Sequence, residues 1–280
     1  MSNEGKNLAS ALRRWLLLVT CAVAAGYLLV CLFMAVEQRK LMYHPQVRTP
    51  AQADELARQN RLVRWTNAAG ECVGFRRPCG RRPARGQVLV TYGNGSTATG
   101  RAGYADDVQN IGDFDVFILE YPGYEDRPGT PTQEHIFRAA DEALQLLSTN
   151  LPVYLVGESL GTGVASYLAG TYPDRVRGVV LLAPFNHISA PAQYQYPWLP
   201  VRLLLLDHYP SDEYLTRYHG PVGVLVGTAD HVVPERFGRQ LYEGYNGPKK
   251  LWTFPGADHG DVFEKIPDIA GELKALWQVR

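Results

Sequence analysis

The strongest chemical signal in the sequence is a serine with a glycine two places to either side, Gly157-Glu158-Ser159-Leu160-Gly161. The apolar run 153–156 before it reads as a buried strand, and residues 164–169 after it read as the start of a helix. A Gly-x-Ser-x-Gly turn between strand and helix is a nucleophile elbow. Its glycines have a steric task, because a Cβ at either flank would collide with the neighbouring helix or strand. The turn lifts Oγ clear of the sheet and aims the Leu160 N–H at the same point, which supplies half of an oxyanion hole. The bland alternative is a Gly-rich surface turn carrying a solvated serine.

A serine hydroxyl attacks poorly until a base takes its proton and a carboxylate orients that base. On an elbow of this kind the partners follow the serine in the order acid, then histidine, on loops after later strands. His44 and His135 precede Ser159 and fail on order. His187, His208 and His219 fall in an irregular stretch, and His231 adjoins an acid in a loop. His259 fits best, in the loop 255–260 between an expected strand (250–254) and a closing helix (266–279). Asp230, in Gly227-Thr228-Ala229-Asp230 after the expected strand 222–226, reaches the Nδ1 side of His259 if those strands are neighbours. Asp258 competes, but a residue adjacent in sequence usually points away from its neighbour's ring. For the second oxyanion donor the candidate is the backbone N–H of Asn94, in Tyr92-Gly93-Asn94-Gly95-Ser96 after the strand 87–92. An ordinary Asn-Gly turn explains the same residues, and the Asn94 side chain need not take part.

The elements that must position these groups alternate. Residues 62–66 and 71–75 read as a hairpin, and strands follow at 87–92, 115–119, 153–156, 178–182, 222–226 and 250–254. Helical patterns fall at 98–111, 132–147, 164–172, 235–245 and 266–279. Short apolar strands alternating with helices predict a mostly parallel central sheet with helices on both faces. Residues 76–85 read as a charged, solvated loop, and 41–58 as a polar connection. The stretch 186–219 breaks the alternation and is rich in aromatics. It reads either as a lid-like insertion over the site or as two extra helices packed on the domain.

Residues 15–36 carry no charge and, as a helix of about 33 Å, match a hydrocarbon core of about 30 Å. A transmembrane anchor is expected, and a cleaved signal peptide ending at Ala22-Val23-Ala24 is its main rival. Lys6, Arg13 and Arg14 before the run, against Arg39 and Lys40 after it, favour an extracytoplasmic or periplasmic catalytic domain. With 28 basic and 28 acidic residues among 280, no global field favours nucleic acid as a partner. Cys72 and Cys79 could pair in an oxidising compartment; the four cysteines match no zinc spacing, so no metal and no cofactor is expected.

Together these residues resemble the α/β-hydrolase superfamily, and more narrowly its membrane-anchored branch of bacterial predicted hydrolases and protein depalmitoylases. The resemblance spans the apolar anchor, Leu41-Met42-Tyr43-His44-Pro45, Gly93-Asn94-Gly95 and Glu120-Tyr121-Pro122-Gly123-Tyr124. It continues through the elbow, Gly227-Thr228-Ala229-Asp230 and Gly256-Ala257-Asp258-His259-Gly260. Two departures stand out: family members commonly have His at the position of Tyr92 and Asp at that of Glu120. The implied architecture is a tail (1–14), an anchor (15–36), a stalk (37–58) and an α/β-hydrolase domain (59–280) carrying the insertion. The implied activity is hydrolysis of an ester or thioester with a hydrophobic, lipid-like acyl part, through Ser159, His259, Asp230 and the Asn94 and Leu160 amides. A serine peptidase or amidase, or a non-catalytic anchored binding protein, are the alternatives.

Overall fold

Valine, leucine and isoleucine dominate the central strands, and that composition places them in a sheet covered on both faces. The computed structural model describes residues 3–81 and 83–279; Met1, Ser2, Arg82 and Arg280 lie outside them, as do the side chains of Asn3, Glu4, Lys6, Leu8 and Ala9. After helices α1 (Asn3–Met42) and α2 (Pro50–Gln59) come the hairpin strands β1 (Val63–Thr66) and β2 (Cys72–Arg77). Then follow β3 (Gly86–Thr91), α3 (Gly103–Ile111), β4 (Phe114–Leu119), α4 (Gln133–Leu146), β5 (Val153–Glu158), α5 (Leu160–Thr171) and β6 (Val176–Leu182). The strands form one eight-stranded sheet in the order β1-β2-β4-β3-β5-β6, continuing through β7 (Val222–Gly227) to β8 (Lys249–Phe254). Only the pairings of β2 with β1 and with β4 are antiparallel. Every residue of β3, β5 and β7 is buried.

This is the mostly parallel sheet with helices on both faces that the alternation predicts, and the α/β-hydrolase fold that the resemblance implies. α5 is apolar nearly all round and is buried between the sheet and neighbouring helices, as such a helix must be. α4 begins at Thr132, whose side chain accepts the His135 N–H at 3.1 Å and caps the first turn. α9 (Glu235–Gly244) and α11 (Ile266–Leu276) complete the cover.

Three regions differ from expectation. α1 does not end with the apolar run but continues through Glu37-Gln38-Arg39-Lys40 to Met42, since those four residues are good helix formers. In the expected connection, Thr49 and Gln52 form a capping box with Pro50 at the first helical position, and α2 follows. Arg77 is not solvated: it is buried, with Nη1 on Asp106 at 2.5 Å and Nη2 on the Asn60 carbonyl at 2.6 Å.

The insertion holds three short helices, α6 (Ser189–Gln195), α7 (Val201–Leu204) and α8 (Ser211–Leu215). Its two halves have different surroundings. Tyr209, Leu215 and Tyr218 are buried in the main core, and α8 packs against α5. The half containing α6 and α7 packs instead on α1, where Leu199 and Val201 bury against Cys31 and Met34.

A ladder of polar contacts reinforces that seam. Tyr27 donates to the Trp198 carbonyl (2.9 Å), and Gln38 exchanges hydrogen bonds with the Leu204 carbonyl (2.9 Å) and the Leu206 N–H (2.7 Å). Arg39 forks onto both Asp207 oxygens at 3.2 Å, and the Tyr43 hydroxyl meets Asp207 and Tyr209 at 2.9 Å each. All of these contacts lie past Ala22-Val23-Ala24. α1 is long and apolar enough over Ser10–Met42 to cross a membrane.

Candidate active site

β5 ends at Glu158, and Ser159 turns the chain into α5 with φ 50° and ψ −116°, a left-handed conformation that L-residues avoid. The flanking glycines make the turn possible. A Cβ on Gly157 would lie 2.8 Å from the Gly161 carbonyl and the Thr162 Cα, and one on Gly161 would run into the Thr91 carbonyl of β3. The Ser159 N–H donates to the Leu182 carbonyl (2.9 Å), which pins the elbow to β6. As the first residue of α5, Leu160 has an N–H with no partner inside the helix.

The parallel neighbours β7 and β8 deliver the other two groups. His259 Nε2 lies 3.1 Å from Ser159 Oγ, and Nδ1 lies 2.7 Å from Asp230 Oδ2. Asp230 is the most enclosed of the three, with its side chain 1 % exposed against 16 % for His259. Its Oδ1 accepts the Val232 and Val233 N–H groups at 2.9 and 2.8 Å, so the carboxylate is aimed by its own loop. Asp258 is committed elsewhere. It caps the four-residue helix α10 (His259–Val262), with Oδ1 accepting the His259 N–H at 2.6 Å. His231 is exposed; its carbonyl receives Gln195 Nε2 of α6 at 2.6 Å, which fastens the insertion to the Asp230 loop.

Across Ser159, a Cβ on Gly93 would sit 3.4 Å from Ser159 Cβ and 3.1 Å from Glu158 Oε1, so the loop after β3 packs closely on the elbow. Asn94 is tethered on both sides. Its carbonyl accepts from Tyr124 Oη (2.6 Å) and the His44 N–H (3.2 Å), and its side-chain amide donates to the Met42 carbonyl at the end of α1. With side chain and carbonyl both committed, the backbone N–H is the donor that remains for a ligand.

The two departures seen in the sequence meet beneath this loop. The Tyr92 hydroxyl donates to Glu120 Oε1, and Oε2 accepts the Ala98 N–H at 3.0 Å, so one carboxyl holds both ends of the segment 92–98. Burial pushes the Glu120 carboxyl up to about 8, partly offset by these hydrogen bonds. Glu158, the variable residue of the elbow, is also buried. Its oxygens pair with Arg101 Nη2 (2.6 Å) and Tyr104 Oη (3.0 Å).

Sequence reasoning singled out neither Glu158, Arg101 nor Tyr124. The available signal was physical: an acidic residue next to an elbow between two buried elements has to find a cation. The described residues hold no group of three or more His, Cys, Asp or Glu side chains able to bind a metal. Cys21, Cys31, Cys72 and Cys79 are all free thiols, and burial pushes that of Cys72 up to about 12.

Residues 94–211 match the family model of the alpha/beta hydrolase fold. The chain is 33 % identical over 249 residues to the uncharacterized protein Rv2307c of Mycobacterium tuberculosis, covering 87 % of this chain and 86 % of that one. It is 30 % identical over 180 residues to the lysophosphatidylserine lipase ABHD12 of Danio rerio, covering 56 % of this chain and 46 % of the relative. Among solved structures, the monoacylglycerol lipase of Paleococcus ferrophilus aligns with a TM-score of 0.54 at 20 % identity, over 77 % of this chain and 99 % of that one. That likeness is one of fold.

Proposed function

The chain belongs to the α/β-hydrolase family, and from that premise we propose that it is a membrane-anchored serine hydrolase acting on an ester or thioester with a hydrophobic acyl part. The observation that carries the reading is the continuous relay from Ser159 Oγ through His259 to Asp230, at 3.1 and 2.7 Å, assembled from three separate loops. With Nδ1–H donating to Asp230, His259 Nε2 holds the lone pair that accepts the serine proton as Oγ attacks the carbonyl carbon. The carbonyl π electrons move to oxygen, and the Leu160 and Asn94 N–H groups receive the oxyanion. On collapse, the histidine returns its proton to the departing alcohol or thiol and leaves an acyl-Ser159. Water, deprotonated by the same nitrogen, releases the acid and restores the serine.

The name of one relative, a lysophosphatidylserine lipase, supports a lipid-like substrate. α1 would hold the site at the bilayer, with the catalytic domain on the extracytoplasmic side, as the flanking charges favour. A carboxy-terminal alkaline phosphatase fusion is expected to be active; a silent phosphatase with an active cytoplasmic reporter would reverse the orientation.

The direct test is labelling by a fluorophosphonate. Wild-type protein is expected to label at Ser159, with Ser159→Ala and His259→Ala unlabelled; equal labelling of all three would remove the assignment. Matched p-nitrophenyl esters, acyl thioesters and acyl amides then identify the bond cleaved.

A further inference from the structure

Where α1 meets the insertion, the two leave a cavity of about 160 Å³ between them. From α1 its walls are Met34, Leu41 and Met42, with Gln38 on the same helical face, at the spacing that aligns side chains one above another. Ala192, Leu199 and Leu204 face them from the insertion. The one amide in this lining, Gln38, has its nitrogen and oxygen engaged by the Ala35 and Leu204 carbonyls and the Leu206 N–H. The cavity therefore offers an almost wholly apolar wall. A ligand there gains by burying hydrocarbon, not by forming hydrogen bonds.

Two further observations say what that hydrocarbon is. Met42, in the wall, is the residue whose carbonyl holds the Asn94 side chain, and Gly93 packs against Ser159. Through Met42 one wall of the cavity is tied to the loop expected to bind the reacting carbonyl. At its other end the insertion climbs α1 as far as Tyr27, fifteen residues before Met42 and about 22 Å along the axis. Tyr27 lies inside the charge-free run, so a bilayer that surrounds the run also surrounds the adjoining part of the insertion. That part exposes Trp198, Leu203 and Leu206, with Leu203 86 % exposed, as suits contact with lipid and an interfacial tryptophan.

We infer that this cavity is the acyl site for a lipid ester bearing a single fatty chain, which enters sideways from the leaflet between α1 and the insertion. The inference rests on the ester-hydrolase reading for what happens to the carbonyl, but not for where the chain binds. A cavity of about 150 Å³ accommodates a single benzene, so this space of about 160 Å³ takes one short segment of a chain, the rest of which lies in the leaflet. The membrane helix is then a wall of the substrate site as well as an anchor.

The test uses full-length Ser159→Ala protein in phosphatidylcholine nanodiscs with a monoacylglycerol carrying a mid-chain diazirine. Irradiation is expected to attach the probe to Met34, Leu41 or Leu204, with adduct yield falling at least tenfold in the cavity-filling variants Ala192→Trp and Leu204→Trp. Adducts only on the lipid-facing side of α1, insensitive to both variants, would overturn the inference. With an active serine, the preference for p-nitrophenyl octanoate over the acetate, as a ratio of kcat/KM, is expected to fall about tenfold in either variant. An unchanged ratio counts against the site. If the wild type cleaves neither ester, the hydrolase reading fails, while the cross-links still decide where the chain sits.

Discussion

On one side of Ser159 the histidine and carboxylate are held by their own loops; on the other, the Asn94 loop is held by groups arriving from distant parts of the chain. Asp230 is aimed by the N–H groups of Val232 and Val233, and His259 starts a helix capped by Asp258. Asn94 depends on Met42 at the end of the long helix, on His44 just after it, and on Tyr124 beyond β4. The segment it belongs to depends further on the buried pair of Tyr92 and Glu120. In the proposed mechanism the acid–base side is thus a local construction, whereas the oxyanion side is a tertiary one. Damage to the first should abolish chemistry outright, and damage to the second should weaken it by degrees.

The largest effect belongs to the local side. Asp230→Asn keeps the shape but lets Nδ1 lose its charged partner, and kcat for a short ester is expected to drop by about 10³–10⁴, as when a triad aspartate is lost elsewhere. A loss under tenfold would mean that Asp230 does not orient His259. On the tertiary side, Asn94→Ala removes the tie to Met42 while keeping the backbone N–H. One hydrogen bond of about 1–1.5 kcal/mol corresponds to roughly a tenfold fall in kcat. KM should hold steady, and a fall as large as that of Asp230→Asn would erase the contrast between the two sides.

The smallest effect is one of stability against pH. Glu120 holds its proton up to about 8 in the folded protein, whereas an unfolded glutamate loses it near about 4.3. The folded state therefore binds more protons between those values. The stability that this proton confers is complete below the lower value and is lost as pH rises through the upper one. Burial also lifts Asp107, to about 6, with the same sign over a narrower range. Across pH 5–8 the melting temperature of wild type is expected to fall more steeply than that of Glu120→Gln. Parallel curves would show that Glu120 ionises normally.

The same contrast explains what could be read from the chain alone. Ser159, Asp230 and His259 each follow a strand with a recognisable apolar run, and parallel order fixes which strand ends meet, so order and loop position suffice to nominate them. The strand pattern was equally legible, because strands buried on both faces have little choice of residue. The attachment of the insertion to α1 was not. It joins Tyr27 to Trp198 and Arg39 to Asp207, pairs far apart in sequence that no periodicity connects. Tyr92 and Glu120 were visible as two separate departures; that they bond to each other follows only once β4 lies beside β3. The helix at Pro50–Gln59 was missed for a different reason, since its capping box is short and its composition polar.

The backbone at Ser159 carries one more consequence, and it concerns how such a chain can change over generations. A non-glycine residue at φ 50°, ψ −116° costs about 1–3 kcal/mol, against a typical folding margin of about 5–15 kcal/mol. Glycine at this position would relieve that cost, and Ser159→Gly is expected to melt higher than the wild type; a lower melting point would show that the serine is unstrained. With Ser159 as the proposed nucleophile, mutation toward robustness and mutation toward inactivity run in the same direction at this one position. A descendant that lost its chemistry here would be the sturdier protein.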